Sequence, residues 1–358
     1  MDARPDTARS LFSDIGVDLS SSQLNLYQVN GTIGVVLSAT HTITKQKVAI
    51  KKVPLKDDQT PETVSREVAA LQACRSRHVV DLLSHFTIPY WSTMVFECCL
   101  GDLSDIITAH GPLPPDHVKS YTHMMLEGLD YIHSLGWMHR DIKPSNLLIA
   151  GDGSIRIGDF GLARQVHPVT KHPDDADEPR PYSNQVASRH EWYRAPELLY
   201  GARHYDFGVD MWAAGCIMAE MIRGTPLFPG RSDIEQLMLE LATLPDHGKL
   251  EFTTVEEVKM ETLVLQASHD AIELLEGFIK YSGQQRMSAK EGLESKYFAN
   301  PLDMISGSMM HLPVKSTPNY EYDDEVEDDR TAPVNKSDSQ ELLNLMVIGV
   351  PIKLSRRN

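Results

Sequence analysis

The sequence predicts an α+β protein of two lobes, a small strand-rich part followed by a larger helical part. Two observations carry the prediction. Residues 26–55, Val79–Phe86 and Thr93–Cys98 alternate apolar, often β-branched side chains with polar ones, the period of a strand. After Gly101 the apolar positions recur at helical spacing, over Val118–Leu135, Asp210–Ile222, Asp233–Leu244 and His269–Lys280. Strands and helices that run in separate blocks make two lobes rather than a parallel sheet wrapped in helices. At 358 residues the chain can bury one large core or two lobes sharing a cleft.

Four segments follow. Residues 1–25 are a polar extension containing Asp2, Asp6 and Asp14, and so do not read as a secretory signal. Residues 26–100 form the small lobe, with one helical stretch from Pro61 to Cys74; Val48-Ala49-Ile50-Lys51 reads as a strand that turns a lysine inward. Residues 101–299 form the helical lobe. Residues 300–358 form a tail, in which Ser316-Thr317-Pro318 and the acidic run Glu321–Asp329 read as solvated, disordered chain. The apolar stretch Leu342–Leu354 suits either packing back on a lobe or docking a partner, and is too short to span a membrane.

Composition sets limits. Hydrophobic residues make up 41% and charged residues 23%, as in an ordinary soluble protein. No apolar run approaches the ~20 residues of a membrane span. A net charge of −16 argues against nucleic acid and anionic membranes as partners. The four cysteines (Cys74, Cys98, Cys99, Cys216) have neither zinc-site spacing nor a disulfide framework, which points to a reducing compartment, the cytoplasm with access to the nucleus left open. The adjacent Cys98-Cys99 reads as structural, and the 15 histidines form no convincing metal set.

The chemistry is concentrated in two short segments, His139-Arg140-Asp141-Ile142-Lys143-Pro144-Ser145-Asn146-Leu147 and Asp159-Phe160-Gly161. They bring a carboxylate, an ammonium and a carboxamide to one loop and a second carboxylate to the next. Moving a phosphoryl group from a nucleoside triphosphate to a hydroxyl needs those parts: Asp141 to accept the hydroxyl proton, Lys143 to steady the γ-phosphate, Asn146 and Asp159 to hold magnesium. Ala195-Pro196-Glu197 closes the segment that Asp159 opens. Lys51, paired with Glu67 in the Pro61–Cys74 helix, would position the α- and β-phosphates. Asp210 would brace the catalytic loop, and Arg286 would sit late in the fold.

On these motifs the chain resembles eukaryotic protein kinases over roughly residues 26–299, and the resemblance implies their bilobal fold, Mg2+ and ATP. Trp192–Glu197 and Pro226-Leu227-Phe228-Pro229-Gly230 look like the cyclin-dependent and mitogen-activated kinase group. Pro61–Glu67 resembles the cyclin-contacting helix, so a cyclin or other activating subunit is an expected partner. Glu197–Asp206 with Asp233–Leu237 resembles most the cell-cycle-related kinase subgroup, which implies a role in cilium or flagellum assembly and length, or in the cell cycle, and a location at the cilium or its base. The resemblance also implies nucleotide contacts. The glycine loop would hold Gly31 and Gly34; Val36, Ala49 and Leu148 would sandwich the adenine; Glu97 and Cys99 would offer backbone groups to its edge; Phe96 would back the pocket; Asp102 would approach the ribose. Substrates would be proteins with Ser/Thr-Pro sites, since proline has no N–H to satisfy, and Arg194 would shape that pocket. Arg66, Arg140 and Arg164 would converge on a phosphate added to Ser183 by an upstream kinase, a charge-assisted contact that orders the loop.

Three departures bear on activity. Val29 replaces the first glycine of the loop Val29–Val36, where glycine permits close approach to phosphate. His190 and Glu191 are inserted before Trp192, so that the threonine of the family falls on Ser188 by motif and on His190 by spacing, after a long acidic stretch holding Asp174, Asp175, Asp177 and Glu178. The connection after Leu241 is short. An active serine/threonine kinase is therefore set against a second reading, a weakly active or inactive pseudokinase scaffold, with retention of Asp141 and Asp159 favouring the first.

Overall fold

A computed structural model describes residues 26–33, 36–55, 60–88, 91–166, 191–202, 204–242, 259–300 and 304. The small lobe is a five-stranded antiparallel sheet with one helix. Its elements are β1 (Tyr27–Ile33), β2 (Val36–His41), β3 (Lys47–Pro54), α1 (Thr60–Ala73), β4 (Leu82–Ile88) and β5 (Trp91–Glu97), with sheet order β1-β2-β3-β5-β4. The alternation in β3 sends Val48 and Ile50 into a small core with Ala39, Phe86 and Val95, and leaves Ala49 and Lys51 on the other face.

The large lobe begins with β6 (Gly101–Asp102), α2 (Leu103–His110), α3 (Pro115–Ser134), β7 (Trp137–Met138), β8 (Leu147–Ile149), β9 (Ile155–Ile157) and β10 (Arg164–Gln165). It continues with α4 (Pro196–Leu199), α5 (Gly208–Arg223), α6 (Asp233–Ala242), α7 (Met260–Leu263), α8 (His269–Phe278) and α9 (Ala289–Leu293). From Gly208 to Ile222 every residue of α5 is buried, so this helix is an internal pillar rather than an amphipathic surface helix. Gly224 ends it at φ 76°, and a Cβ there would lie 2.5 Å from the Pro112 nitrogen, so both the turn and the packing require glycine. Among the described residues no helix is long and apolar enough to cross a membrane.

The two lobes share one core. Val64, Val68 and Leu71 of α1 pack in the same cluster as Leu126 of α3 and Trp212 of α5. The expected strand Val79–Phe86 splits for this reason: β4 starts at Leu82, while Val79 bridges to Ile157 and Val80 N–H donates to the Ile157 carbonyl at 2.9 Å. Backbone groups of the large lobe claim these two residues before the sheet can. The other strand and helix expectations hold within a few residues, although α2 and the two- or three-residue strands β6 to β10 were not foreseen; strands this short do not repeat a period. The acidic run, Leu342–Leu354 and the shortened connection lie outside the described residues.

Helix α6 turns polar side chains inward. Gln236 and Glu240 are fully buried, whereas Ile234 (73% exposed), Met238 and Leu239 face outward. Burial holds the Glu240 carboxyl well above the ordinary range, and its Oε1 accepts from Gln236 Nε2 at 2.8 Å. Folding then takes up a proton wherever the unfolded side chain is ionised, and stability falls as pH rises from the ordinary carboxylate range toward the raised value. Glu240→Gln removes that cost and should stabilise the protein at pH 7 by about 1–3 kcal/mol. Denaturant melts across pH check it: the advantage should shrink as pH falls below the ordinary carboxylate range, and a pH-independent gap would sink the assignment.

Candidate active site

The catalytic loop between β7 and β8 takes its shape from one buried carboxylate. Asp210, on the α5 pillar, accepts the backbone N–H of His139 at 2.8 Å and of Arg140 at 2.7 Å, and His133 Nε2 donates to it at 2.9 Å. Burial alone would raise its carboxyl; the His133 hydrogen bond and the other donors outweigh that and hold it below the ordinary range. Arg140 sits at φ 68°, a left-handed conformation that a side chain adopts only under local constraint. Its Nε donates to the Leu162 carbonyl at 2.7 Å and its Nη1 to the Tyr205 hydroxyl.

With the backbone turned inward, Asp141, Lys143 and Asn146 come together. Lys143 Nζ lies 2.8 Å from Asp141 Oδ2. Asn146 Nδ2 donates to the Asp141 carboxylate at 2.9 Å and to its carbonyl at 2.7 Å. The next loop approaches from the far side. His139 donates through Nε2 to the Gly158 carbonyl at 2.8 Å, and its ring meets Phe160 edge-on, centroids 4.8 Å apart. Phe160 is fully buried, and Asp159, at φ 53°, swings its carboxylate outward. There Lys51 Nζ lies 2.8 Å from Asp159 Oδ1 and 2.8 Å from Glu67 Oε1.

The charges explain one another. Burial works against the Lys51 ammonium, but Asp159 and Glu67 outweigh it and raise its pKa. Burial likewise opposes the Asp159 carboxylate, and Lys51 turns the balance and lowers it. Glu67, the more deeply buried acid, is raised by burial, which Lys51 only partly offsets.

The other residues predicted for the site lie in neighbouring elements. Val36 in β2, Ala49 in β3 and Leu148 in β8 are half-buried, and Ala49 pairs with Phe96 across the sheet. Gly31 lies in β1 opposite Ser38, after a bulge between Val29 and Gly31 where the first loop glycine is missing; Gly34 is outside the described residues. Glu97 closes β5, and Cys98–Leu100 cross to β6. Burial pushes the Cys99 thiol up to about 12 and raises that of Cys98, which fits a structural pair. Asp102 caps α2, accepting from Asp105 N–H at 3.0 Å, and burial with the neighbouring Asp105 raises it to about 6. Arg66 in α1, Arg140 and Arg164 in β10 sit on touching pieces of chain: α1 packs on β10, and Leu162 binds Arg140. Ser183, Ser188 and His190 are outside the described residues. Glu197 receives a two-pronged pair from buried Arg286, at 2.7 and 2.8 Å. His133, Tyr205 and Arg156 were not foreseen; their partners stand far away in sequence and share no motif with them.

Comparison with known proteins agrees with this geometry. The family model for the protein kinase domain matches residues 30–298. Cyclin-dependent kinase 20 of Rattus norvegicus is 43% identical over 286 residues, covering 75% of this chain and 80% of the relative. The Danio rerio protein of that name is 42% identical over 302 residues, 79% of this chain and 84% of the relative. Cyclin-dependent kinase 7 of Xenopus laevis is 34% identical over 322 residues, 83% and 88% respectively.

Asp210→Ala would leave two inward N–H groups and His133 without their acceptor. A loss of about 2–4 kcal/mol is expected, with faster amide exchange at His139 and Arg140. Unchanged exchange at those two amides would show that something else holds the loop. The depressed carboxyl also gives a sign: its stabilisation is complete above the ordinary carboxylate range and fades as pH falls through its lowered value.

Proposed function

The chain belongs to the protein kinase family and is a serine/threonine kinase of the cyclin-dependent type, and from that premise we propose a proline-directed enzyme in which the residues gathered around Lys51 and Asp141 do the chemistry. The observation that carries the site assignment is the meeting of Glu67 and Asp159 on Lys51, 2.8 Å from each, above a loop that groups Asp141, Lys143 and Asn146.

The family uses ATP with Mg2+, and the donor set suits that pair. Asn146 commits Nδ2 to Asp141, which leaves its carbonyl oxygen for a cation, and Asp159 gives one oxygen to Lys51 and keeps another. Hard oxygens of this kind suit Mg2+. Bound Mg-ATP supplies the γ-phosphoryl group and the neutralising charge. Asn146 and Asp159 hold the metal, and Lys51, fixed by Glu67, orients the α- and β-phosphates. Asp141 orients the acceptor hydroxyl and takes its proton, while Lys143 beside it stabilises charge on the transferred group.

Substrate choice falls to Trp192–Glu197. Arg194 is mostly buried there and lies 3.8 Å from Asp233, and a proline after the target residue brings no N–H that would need a partner. The touching elements that carry Arg66, Arg140 and Arg164 support a regulatory role for phosphorylated Ser183, added by an upstream kinase. The similarity to relatives named cyclin-dependent kinases supports a cyclin or comparable activating subunit. The subgroup resemblance supports action in cilium or flagellum assembly or length, or in the cell cycle, from the cytoplasm or the ciliary base.

Purified protein should transfer phosphate to a Ser-Pro peptide, and Asp159→Asn should lower kcat by about 100-fold or more while the fold persists. Equal incorporation by both would end the assignment. A Ser-Ala peptide should be used at least about tenfold less well, a difference of roughly 1.4 kcal/mol; equal use would remove the proline preference. Ser183→Ala and phosphatase treatment should each depress activity about tenfold or more through loss of the ordering anion, and full activity in Ser183→Ala would rule Ser183 out.

A further inference from the structure

Arg156, in β9, is 6% exposed and takes no part in the phosphate chemistry described above. A buried guanidinium is costly unless acceptors surround it, and each partner here can be named. Its Nε lies 3.3 Å from Glu97 Oε1 and its Nη2 3.5 Å from Asp152 Oδ2. Its Nη1 donates to Ser154 Oγ and, at 3.4 Å, to the Ile155 carbonyl. Ser154 in turn donates through N–H and Oγ to Asp152 Oδ1, at 3.0 and 2.5 Å. The guanidinium thus hydrogen-bonds within the β8–β9 turn and, through an ion pair that is not a hydrogen bond, joins that turn to the last residue of β5.

That last residue begins the crossing from β5 to β6, Cys98–Leu100. The Glu97 carboxylate that faces Arg156 also accepts Asp81 N–H at 3.0 Å, and Glu97 N–H donates to the Asp81 carbonyl at 3.1 Å. At the other end of the crossing, Leu100 N–H donates to the Ile149 carbonyl at 2.7 Å. Arg156 meets this span at its first anchor, through the Glu97 carboxylate. Its charge is felt at the Cys99 thiol, where burial raises the pKa most, Glu97 adds to the rise and Arg156 opposes it.

We propose that Arg156 is a positioning residue for the purine base: by fixing Glu97 from behind, it sets the backbone of Glu97–Cys99 and hence nucleotide affinity and the preference for adenine over guanine. This rests on the reading of Glu97 and Cys99 as the adenine-facing backbone. Adenine offers an amino donor beside a ring acceptor, and guanine reverses the two. A rigid backbone acceptor and donor accept one pattern and leave buried groups unpaired against the other. A loosened crossing can turn to suit either, so discrimination should fall with rigidity.

The test uses the full-length protein with a peptide substrate, ATP and GTP as alternative donors, and magnesium tripolyphosphate as a competing probe that lacks a base. Arg156→Met should raise KM for ATP by about tenfold and narrow the ATP-to-GTP preference by at least about tenfold, the scale of one misplaced hydrogen bond in a binding site. kcat and inhibition by tripolyphosphate should stay within about threefold, since the phosphate-binding groups are untouched. Arg156→Lys, which restores charge without the fork, should recover part of the preference. If Arg156→Met does not fold, Glu97→Gln, which retains an acceptor for Asp81 and loses the ion pair, should narrow the preference in the same way. An unchanged ATP-to-GTP ratio in a folded variant overturns the proposal, as does a parallel loss of ATP and tripolyphosphate binding. Indifference of the wild type to the base would instead remove the adenine-edge reading, and this proposal with it.

Discussion

Asp210 is a charge with almost no access to water, and the catalytic loop has its shape because that charge requires donors. It stands on a helix buried on every side, where an unsatisfied carboxylate would be among the costliest groups in the molecule. The loop answers with two successive backbone N–H groups. Presenting both from His139 and Arg140 turns the chain inward and places Arg140 in left-handed space. The side chains that follow then have one direction left, toward the cleft, so the grouping of Asp141, Lys143 and Asn146 is a consequence of satisfying Asp210.

The small lobe is tied to this base by two kinds of contact. The permanent one is backbone: the chain around His78–Val80 exchanges hydrogen bonds with Ile157, so the end of α1 is stitched to β9 regardless of charge. The electrostatic one is Lys51, which spans β3, α1 and the Asp159 loop through two 2.8 Å pairs. Burial opposes charge at all three groups; partners outweigh it at Lys51 and Asp159, whereas at Glu67 Lys51 offsets it only in part. Moving α1 would break the Glu67 pair and leave Lys51 with Asp159 alone. A shift of this helix is the natural place for an activating partner to act, since the ion pair is favourable only when all three members are in position.

Legibility followed the kind of constraint. Asp141, Lys143, Asn146, Asp159, Lys51 and Glu67 were legible because phosphoryl transfer restricts both residue type and spacing, and the structure brings all six together. Long periodic elements such as α3 and α5 were legible because a face, or a whole circumference, must be apolar. Arg156 and Tyr205 were not, because a buried arginine in β9 and a tyrosine 65 residues beyond Arg140 acquire meaning only through distant partners. Helix α6 is another case: its period was legible and its facing was not. Periodicity records that two faces differ, and only tertiary context decides which one is covered. Asp102 shows a third case, in which one side chain matches the ribose-approaching position and also caps α2, so the two demands on it cannot be separated by pattern.

The inward polarity of α6 bears on residues 192–197. Trp192 Nε1 donates to the Gly230 carbonyl at 2.8 Å, Gly230 N–H donates to Gln236 Oε1 at 2.9 Å, and Gln236 returns to the Trp192 carbonyl at 3.4 Å. Tyr193 donates to buried Glu220 at 2.6 Å, and Glu197 is gripped by Arg286. Among the described residues, 192–197 are thus held from beneath by α5, α6 and Arg286. An apolar inner face on α6 would have packed without fixing this register, because dispersion contacts tolerate sliding and directional hydrogen bonds do not. The exposed Ile234 and Met238 are the counterpart of that arrangement, since a short helix that turns Gln236 and Glu240 inward has its apolar positions left on the outside.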